Sequence, residues 1–330
     1  MDELHKFLFE GLPVRGLLVR LDSSWQSLLA RRTSASDGGH AFAPPVRALL
    51  GQMAAAGVLM QSNIKFDGAL VLQLQGDGPL KLAVAETYPD LSFRATAKVQ
   101  GPVADDAHLA DLANLGGKGI CAITLDPQNR QPGQQPYQGL VSLHGDQREP
   151  LQKLSQVLEH YMLQSEQLDT RLVLAANDEV AAGLLIQRLP VSGEANLAGQ
   201  RALDATRSAD EDQIGRNEDF SRIAMLAGTL SEDELLSLSP EQLLHRLFWE
   251  ETVRLQPPLS PRFACRCSRE RVAGMLKGLG ADEVMGLIAE RGEAEVGCDF
   301  CGAQYRFDAV DAGELFTPER ELPPSPSGVQ

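Results

Sequence analysis

The chain has 330 residues, of which 43% are hydrophobic, so it can form one large core and a second, smaller domain. It contains no long uninterrupted apolar run, and its formal net charge of −15 argues against nucleic acid or an anionic membrane as the main partner. The acidic, polar N-terminus lacks an apolar signal region, so we expect a cytoplasmic location.

Apolar patterning predicts an α+β domain over residues 1–203. Long helical patterns at Val46–Met60 and Leu151–Met162 indicate packed helices. Apolar residues alternate in Leu70–Leu74, Leu80–Val84 and Phe93–Val99, which are joined by tight turns and predict an antiparallel sheet. Further strands are expected at Val14–Leu21, Arg171–Ala176 and Ala181–Leu189, the last two as a hairpin.

This domain shows no catalytic constellation. Glycines and Lys118 cluster in Asn114–Leu125, but the phosphate-loop spacing is missing and a strand follows, so we predict a turn and a buried strand carrying Cys121. His160 and Glu166 stand at a helix end without an evident nucleophile, which favours a solvated or capping role. We therefore expect that the protein is not an enzyme.

Residues 204–262 are predicted to form a metastable helical linker. Between Asp204 and Glu251, twelve acidic residues stand against four basic ones, yet leucines recur at helical intervals. Ser239, Pro240 and Gln242 indicate the start of the last helix. Such a segment folds only while larger partners cover its apolar faces, and the expected partners are the N-terminal sheet and the C-terminal domain.

Residues 263–311 contain four of the five cysteines, Cys265, Cys267, Cys298 and Cys301. Two short-range pairs separated by about thirty residues suit one tetrahedral zinc ion. Short strands are expected on both sides of Cys298–Cys301, which places this pair on a hairpin knuckle, whereas the first pair reaches a metal most easily from a loop. Helices are predicted from Ser268 to Gly280 and from Asp282 to Glu290, and residues 312–330 are predicted to be a disordered tail.

Three interpretations of these cysteines remain open on residues alone. Two structural disulfides would suit a secreted protein. A closed four-thiolate zinc site would be structural, because it leaves no open coordination position for catalysis. A redox switch is the third, since zinc keeps the thiols as reactive thiolates and its loss would unfold a domain that depends on it.

The cysteine pattern resembles that of the heat shock protein 33 family of bacterial redox-regulated holdase chaperones. The resemblance includes Ser268–Arg271, directly after the first pair, and Tyr305–Phe307, after the second pair. The resemblance extends up to about residue 311 and includes Val14–Gly16, Lys65–Gly68, Leu72–Leu74, Ser165–Leu172, Gly183–Leu189 and Leu243–Phe248.

This resemblance implies an ATP-independent holdase that binds unfolding proteins during oxidative stress. It implies one zinc ion per chain in the reduced, inactive state, and activation by the disulfides Cys265–Cys267 and Cys298–Cys301 with release of zinc. It also implies a homodimer when oxidised, hand-over of clients to ATP-dependent foldases, and a location in the bacterial cytoplasm.

The alternative function is a structural zinc-ribbon module that binds nucleic acid or a protein partner. Between Phe263 and Val310, eight acidic residues oppose six basic ones, so this region lacks the positive surface that phosphate recognition requires.

Overall fold

The computed structural model describes residues 2–33, 41–129, 133–189 and 217–317, and the chain divides into two compact units. The first unit contains the described residues up to Cys265, and the second begins at Arg266. Residues 204–216 of the predicted linker and residues 318–330 of the predicted tail lie outside the described residues.

The elements of the first unit alternate between strands and helices. In chain order they are β1 (Glu3–Phe9), β2 (Val14–Leu21), α1 (Ser23–Thr33), α2 (Pro44–Asn63), β3 (Gly68–Gln75), β4 (Leu80–Thr87), β5 (Ser92–Val99), α3 (Leu109–Ala113), β6 (Ile120–Pro127), β7 (Tyr137–Ser142), α4 (Leu154–Gln164), β8 (Thr170–Ala176), β9 (Ala181–Arg188), α5 (Glu218–Gly228), α6 (Glu232–Ser237), α7 (Pro240–Phe248), β10 (Val253–Leu255) and β11 (Arg262–Phe263).

Two sheets form the framework of the first unit. One has the order β10-β1-β2-β9-β8, and the other has the order β11-β5-β4-β3-β6-β7. All their pairings are antiparallel except that of β11, which lies parallel to β5. The α+β class and the antiparallel sheets predicted from the sequence are thus confirmed, and so is the buried strand β6, whose Cys121 is fully buried.

Helix α2 forms the centre of the main core. It is rich in alanine, thirteen of its twenty residues are buried, and its apolar side chains share one cluster with residues from both sheets. A Cβ atom added at Gly51 would lie 2.5 Å from the Cβ of Ala176, so the close approach of α2 to β8 requires glycine.

Helices α5, α6 and α7 cover the opposite face of the sheet that contains β1 and β2. The buried apolar residues of these helices and of the turn after α5 are Ile223, Ala227, Leu230, Leu235, Leu243, Leu244, Leu247 and Phe248. These side chains share a second apolar cluster with sheet residues that include Phe7, Phe9 and Leu18. The sheet is therefore one partner of the acidic helices, as expected; the other expected partner, the C-terminal domain, stays a prediction.

Capping explains why this acidic segment is helical where it is described. Asn217, Ser231 and Ser239 cap α5, α6 and α7, and the last two belong to capping boxes. The Ser239–Pro240 start predicted from the sequence is confirmed. Each cap satisfies backbone donors that would otherwise lose their water on docking.

The second unit is small. Its elements are α8 (Arg269–Leu279), α9 (Ala281–Arg291), β12 (Ala294–Gly297), β13 (Gln304–Phe307) and α10 (Ala309–Phe316). Its core consists of Leu276, Val284, Ile288, Ala294, Phe307 and Ala312. The two helices and the hairpin were predicted, whereas the start of a disordered tail at residue 312 is wrong, because α10 continues to Phe316 and buries Ala312.

Candidate metal centre

The four clustered cysteines come together in space. The Sγ atoms of Cys265, Cys267, Cys298 and Cys301 all lie within 4.8 Å of one another, and those of Cys267 and Cys301 are 3.3 Å apart. Cys301 is buried and the other three are partly buried. The two pairs that the sequence separates by about thirty residues thus form one cluster.

A hairpin knuckle positions the second pair. Strands β12 and β13 pair in antiparallel register from Ala294–Phe307 to Gly297–Gln304. Beyond the last pair, the amide of Cys298 donates to the carbonyl oxygen of Ala303 (2.9 Å), and the amide of Gly302 donates to that of Cys298 (2.8 Å). Gly302 has a φ of 70°, a left-handed conformation that glycine adopts without strain, as the sequence predicted.

A loop positions the first pair, as expected from its one-residue spacing. Before it, the amide of Ala264 donates to the carbonyl oxygen of Phe93 (3.0 Å), which continues the pairing of β11 with β5 and fixes the backbone next to Cys265. After it, the side chain of Ser268 accepts from the amide of Arg271 and caps α8. Cys267 therefore stands at the entrance of a helix.

Two polar side chains hydrogen-bond to the cluster. The guanidinium of Arg94 bonds to Cys265, and it is itself paired with Glu86 (2.7 Å). The phenol of Tyr305 bonds to Cys267, and this hydrogen bond raises the pKa of Tyr305. Neither role was predicted from the sequence. Arg94 is far from the cysteines in the chain, whereas Tyr305 had two signals, its position on the strand after the knuckle and its place in the terminal Tyr305–Phe307 motif.

The cluster fits a tetrahedral metal site. Zinc–sulfur bonds of about 2.3 Å place two sulfurs of a tetrahedron roughly 3.8 Å apart. This value lies between the 3.3 Å separation of Cys267 and Cys301 and the 4.8 Å limit of the cluster. Four sulfur donors are the set that structural zinc prefers, and donors to ligand sulfurs are common around such sites. These four cysteines can therefore hold a metal ion.

The fifth cysteine is separate from this cluster. Cys121 lies on β6 in the main core, and its burial raises the pKa of its thiol to about 12. The thiolate is the reactive form of cysteine, so Cys121 is chemically quiet in the folded protein.

No helix within the described residues is both long enough and apolar enough to cross a membrane.

Glu166, one of the two residues weighed above as an acid–base pair, has structural contacts. Its carboxylate accepts hydrogen bonds from the phenols of Tyr137 (3.1 Å) and Tyr161 (2.6 Å).

Comparison with known proteins identifies the relatives of this chain. The 33 kDa chaperonin of Chromobacterium violaceum is 46% identical over 315 residues, which cover 96% of this chain and 94% of that protein. The 33 kDa chaperonin of Methylobacillus flagellatus is 42% identical over 323 residues, which cover 98% and 97%. Proteins with this name are chaperones, which are not enzymes.

A solved structure has the same fold. The crystal structure of the 33 kDa chaperonin of Thermotoga maritima, a heat shock protein 33 homologue, matches with a TM-score of 0.71 over 96% of this chain and 98% of that one, at 18% identity. The family model described as Hsp33 protein matches residues 2–308. The chain therefore belongs to the Hsp33 family, as its sequence pattern predicted.

Proposed function

We propose that the protein is a redox-regulated, ATP-independent holdase that binds unfolding proteins and prevents their aggregation. The observation that carries this proposal is the cluster of four cysteine sulfurs within 4.8 Å of one another in a member of a chaperone family. When reduced, Cys265, Cys267, Cys298 and Cys301 hold one zinc ion, and the protein is inactive.

The small second core supports a role for the metal in folding. In the part of this unit that the structure describes, the apolar cluster contains six buried side chains, two of them alanines, and a large buried side chain contributes about 1.5–3 kcal/mol. A structural zinc site of this donor type contributes about 10–16 kcal/mol of apparent binding free energy. Loss of the metal therefore unfolds residues 266–317.

Oxidation removes the ligands. In the proposed switch, Cys265 joins Cys267 and Cys298 joins Cys301. Each S–S bond forms from two thiolates, which together give two electrons to an oxidant such as hypochlorite or peroxide. A disulfide sulfur no longer carries the thiolate charge that holds zinc, so the metal is lost. The Cys265–Cys267 loop is very small, which makes that disulfide strained and easy to reduce when the stress ends.

The client surface is the apolar interface under α5, α6 and α7. These helices are acidic outside and apolar inside. Few polar contacts of the described residues connect them to the rest of the first unit. Lys153 forms a mostly exposed ion pair with Glu232 (2.9 Å), and Arg20 donates to the carbonyl oxygen of Leu236 (2.7 Å). Exposed ion pairs contribute about 0–1 kcal/mol. Release of the helices uncovers leucines together with the phenylalanines of β1, an apolar surface suited to unfolded segments.

The proposal includes the domain limits predicted from the sequence: a chaperone core and dimerisation domain over 1–203, a metastable linker over 204–262 and a redox-sensing domain over 263–311. It also includes dimerisation of the oxidised form, transfer of clients to ATP-dependent foldases under reducing conditions, and a cytoplasmic location.

The test is light scattering from a thermally aggregating protein without ATP. The chain is added either reduced with zinc, or oxidised until its zinc is released. We expect only the oxidised form to suppress aggregation, and dithiothreitol with zinc to reverse the effect. Equal inactivity of both forms would contradict the proposal and favour a structural zinc-ribbon module.

A further inference from the structure

A positively charged cavity of about 420 Å³ lies in the first unit between β1, β2 and the end of α2. Lys6, Arg15 and Lys65 line it, and no aspartate or glutamate among the described residues does so. The whole chain has a net charge of −15, so three cations around one cavity without a carboxylate are unusual for this protein.

A buried glutamine fixes the direction of Arg15. Gln187 is fully buried and lies opposite Arg15 in the β2–β9 register. Its amide nitrogen donates to Thr170 (3.0 Å), so its oxygen accepts from Arg15 Nη2 (2.5 Å) and from Asn63 (2.8 Å). The guanidinium is therefore held in place before any ligand arrives.

Arg15 also has an unsatisfied donor. Its Nε atom is buried and has no hydrogen-bond partner. A buried donor left unpaired is unfavourable, and more so when the group is charged. The protein therefore does not saturate the hydrogen-bonding capacity of this guanidinium.

Lys6 stands beside Arg15 on the same face. In the β1–β2 register Leu8 is opposite Arg15, which makes Lys6 its diagonal neighbour. Burial and the charge of Arg15 both lower the pKa of Lys6. The carbonyl oxygen of Ser62, at the end of α2, accepts from Lys6, but a helix terminus supplies only a partial negative charge.

Lys65 completes the set at the mouth of the cavity. It is exposed, and it makes no ion pair within the described ranges. The charges at the cavity thus come from one preorganised guanidinium and two ammonium groups. A guanidinium can donate two parallel hydrogen bonds to two phosphate oxygens, and each ammonium adds a point charge. This combination is suited to anions that carry several charges.

We propose that this cavity binds a small anion that carries phosphate groups, held by Arg15, Lys6 and Lys65. The cavity volume lies within the roughly 300–1,000 Å³ of small-molecule sites, so it holds more than a single phosphate. The ligand is either an inorganic diphosphate or the phosphate end of an ester such as a nucleotide. This binding is separate from the holdase function and does not depend on it.

The test is isothermal titration calorimetry of the reduced, zinc-loaded full chain at low ionic strength. Pyrophosphate, ATP without magnesium, and citrate are the titrants. We expect pyrophosphate or ATP to bind with one site per chain and citrate to bind at least tenfold more weakly. Tighter binding of ATP identifies a phosphate ester as the ligand, and tighter binding of pyrophosphate identifies an inorganic anion.

Matched variants locate the binding. Lys65→Gln should weaken the affinity about tenfold, because one charged contact of about 1.4 kcal/mol corresponds to that factor. Lys98→Gln removes another exposed charge, on β5, and should leave the affinity unchanged. Arg15→Lys keeps the charge but loses the two-donor geometry, and it should weaken binding at least tenfold while circular dichroism stays native.

Three results would overturn the proposal: no binding of either phosphate compound, binding of citrate as tight as that of pyrophosphate, or equal affinities for the Lys65→Gln and Lys98→Gln variants. Because Lys65 is exposed, its replacement leaves folding intact, so the last comparison stays decisive even if the Arg15 variant is unstable.

Discussion

Replacing Phe248 with alanine is expected to activate the reduced protein as a holdase. Phe248 is 2% exposed at the end of α7. Its ring packs edge to face on Phe9, with centroids 4.9 Å apart, and it lies 6.3 Å from the ring of Phe7. This aromatic cluster joins the acidic helices to the sheet.

The expected size of the effect follows from this packing. Truncating a buried phenylalanine to alanine costs about 3–5 kcal/mol. The cost falls on the docked state, because the side chain is solvated once the helices have left the sheet. At 1.4 kcal/mol per factor of ten, the population with undocked helices increases roughly 10²- to 10⁴-fold.

Two assays on reduced, zinc-loaded protein check this prediction: limited proteolysis within α5–α7, and light scattering from an aggregating client without ATP. Trp249→Ala is the matched control, because Trp249 is the next residue, is also aromatic and is 68% exposed. We expect faster cleavage and suppressed aggregation for the Phe248 variant alone. Faster cleavage without suppression would refute the assignment of the client surface, and identical behaviour of both variants would refute the docking equilibrium.

Three further predictions follow from the same contacts. Ser239→Ala removes the capping box of α7 at a cost of about 1 kcal/mol, so proteolysis in α5–α7 should accelerate about fivefold; an unchanged rate would contradict the role of the cap. Cys301→Ser removes the one buried sulfur of the cluster, so metal analysis should show loss of zinc, and circular dichroism should show loss of helix; full zinc content would contradict the site. Cys121, whose thiol pKa burial raises to about 12, should react with iodoacetamide at pH 8 only in denaturant; rapid labelling of the native protein would contradict its burial.

Local patterns were sufficient to predict the elements that carry their own signal. Alternation predicted β3, β4 and β5, the run of small apolar residues predicted α2, and Ser268 with Gly280 marked both ends of α8. The cysteine cluster was predictable for the same reason, since ligand spacing is a local property of the chain.

Elements that exist only through tertiary pairing were missed. Strand β10 has three residues and precedes two prolines, and β11 has two residues and follows a proline. Neither strand is long enough to contain a pattern of its own. They form because β1 and β5 offer them an edge. Helix α10 is a different case. Asp308 caps it by accepting from the amides of Val310 and Asp311. This cap is a local signal of a helix, but the domain was predicted to end shortly after it.

Contacts between distant residues could not be predicted from a single sequence. Arg94 reaches Cys265 only because β11 pairs with β5, and Arg15 meets Gln187 only because β2 pairs with β9. Both contacts are set by sheet register, which short patterns leave open.

Hydrogen exchange of the reduced, zinc-loaded protein and the oxidised, zinc-free protein tests most directly whether metal loss releases the acidic helices. We predict that oxidation removes amide protection from residues 266–317 and from α5, α6 and α7, while α2 stays protected in both states. Unchanged protection of α5–α7 in oxidised protein that suppresses aggregation would contradict the account, because client binding would then not need the surface beneath them.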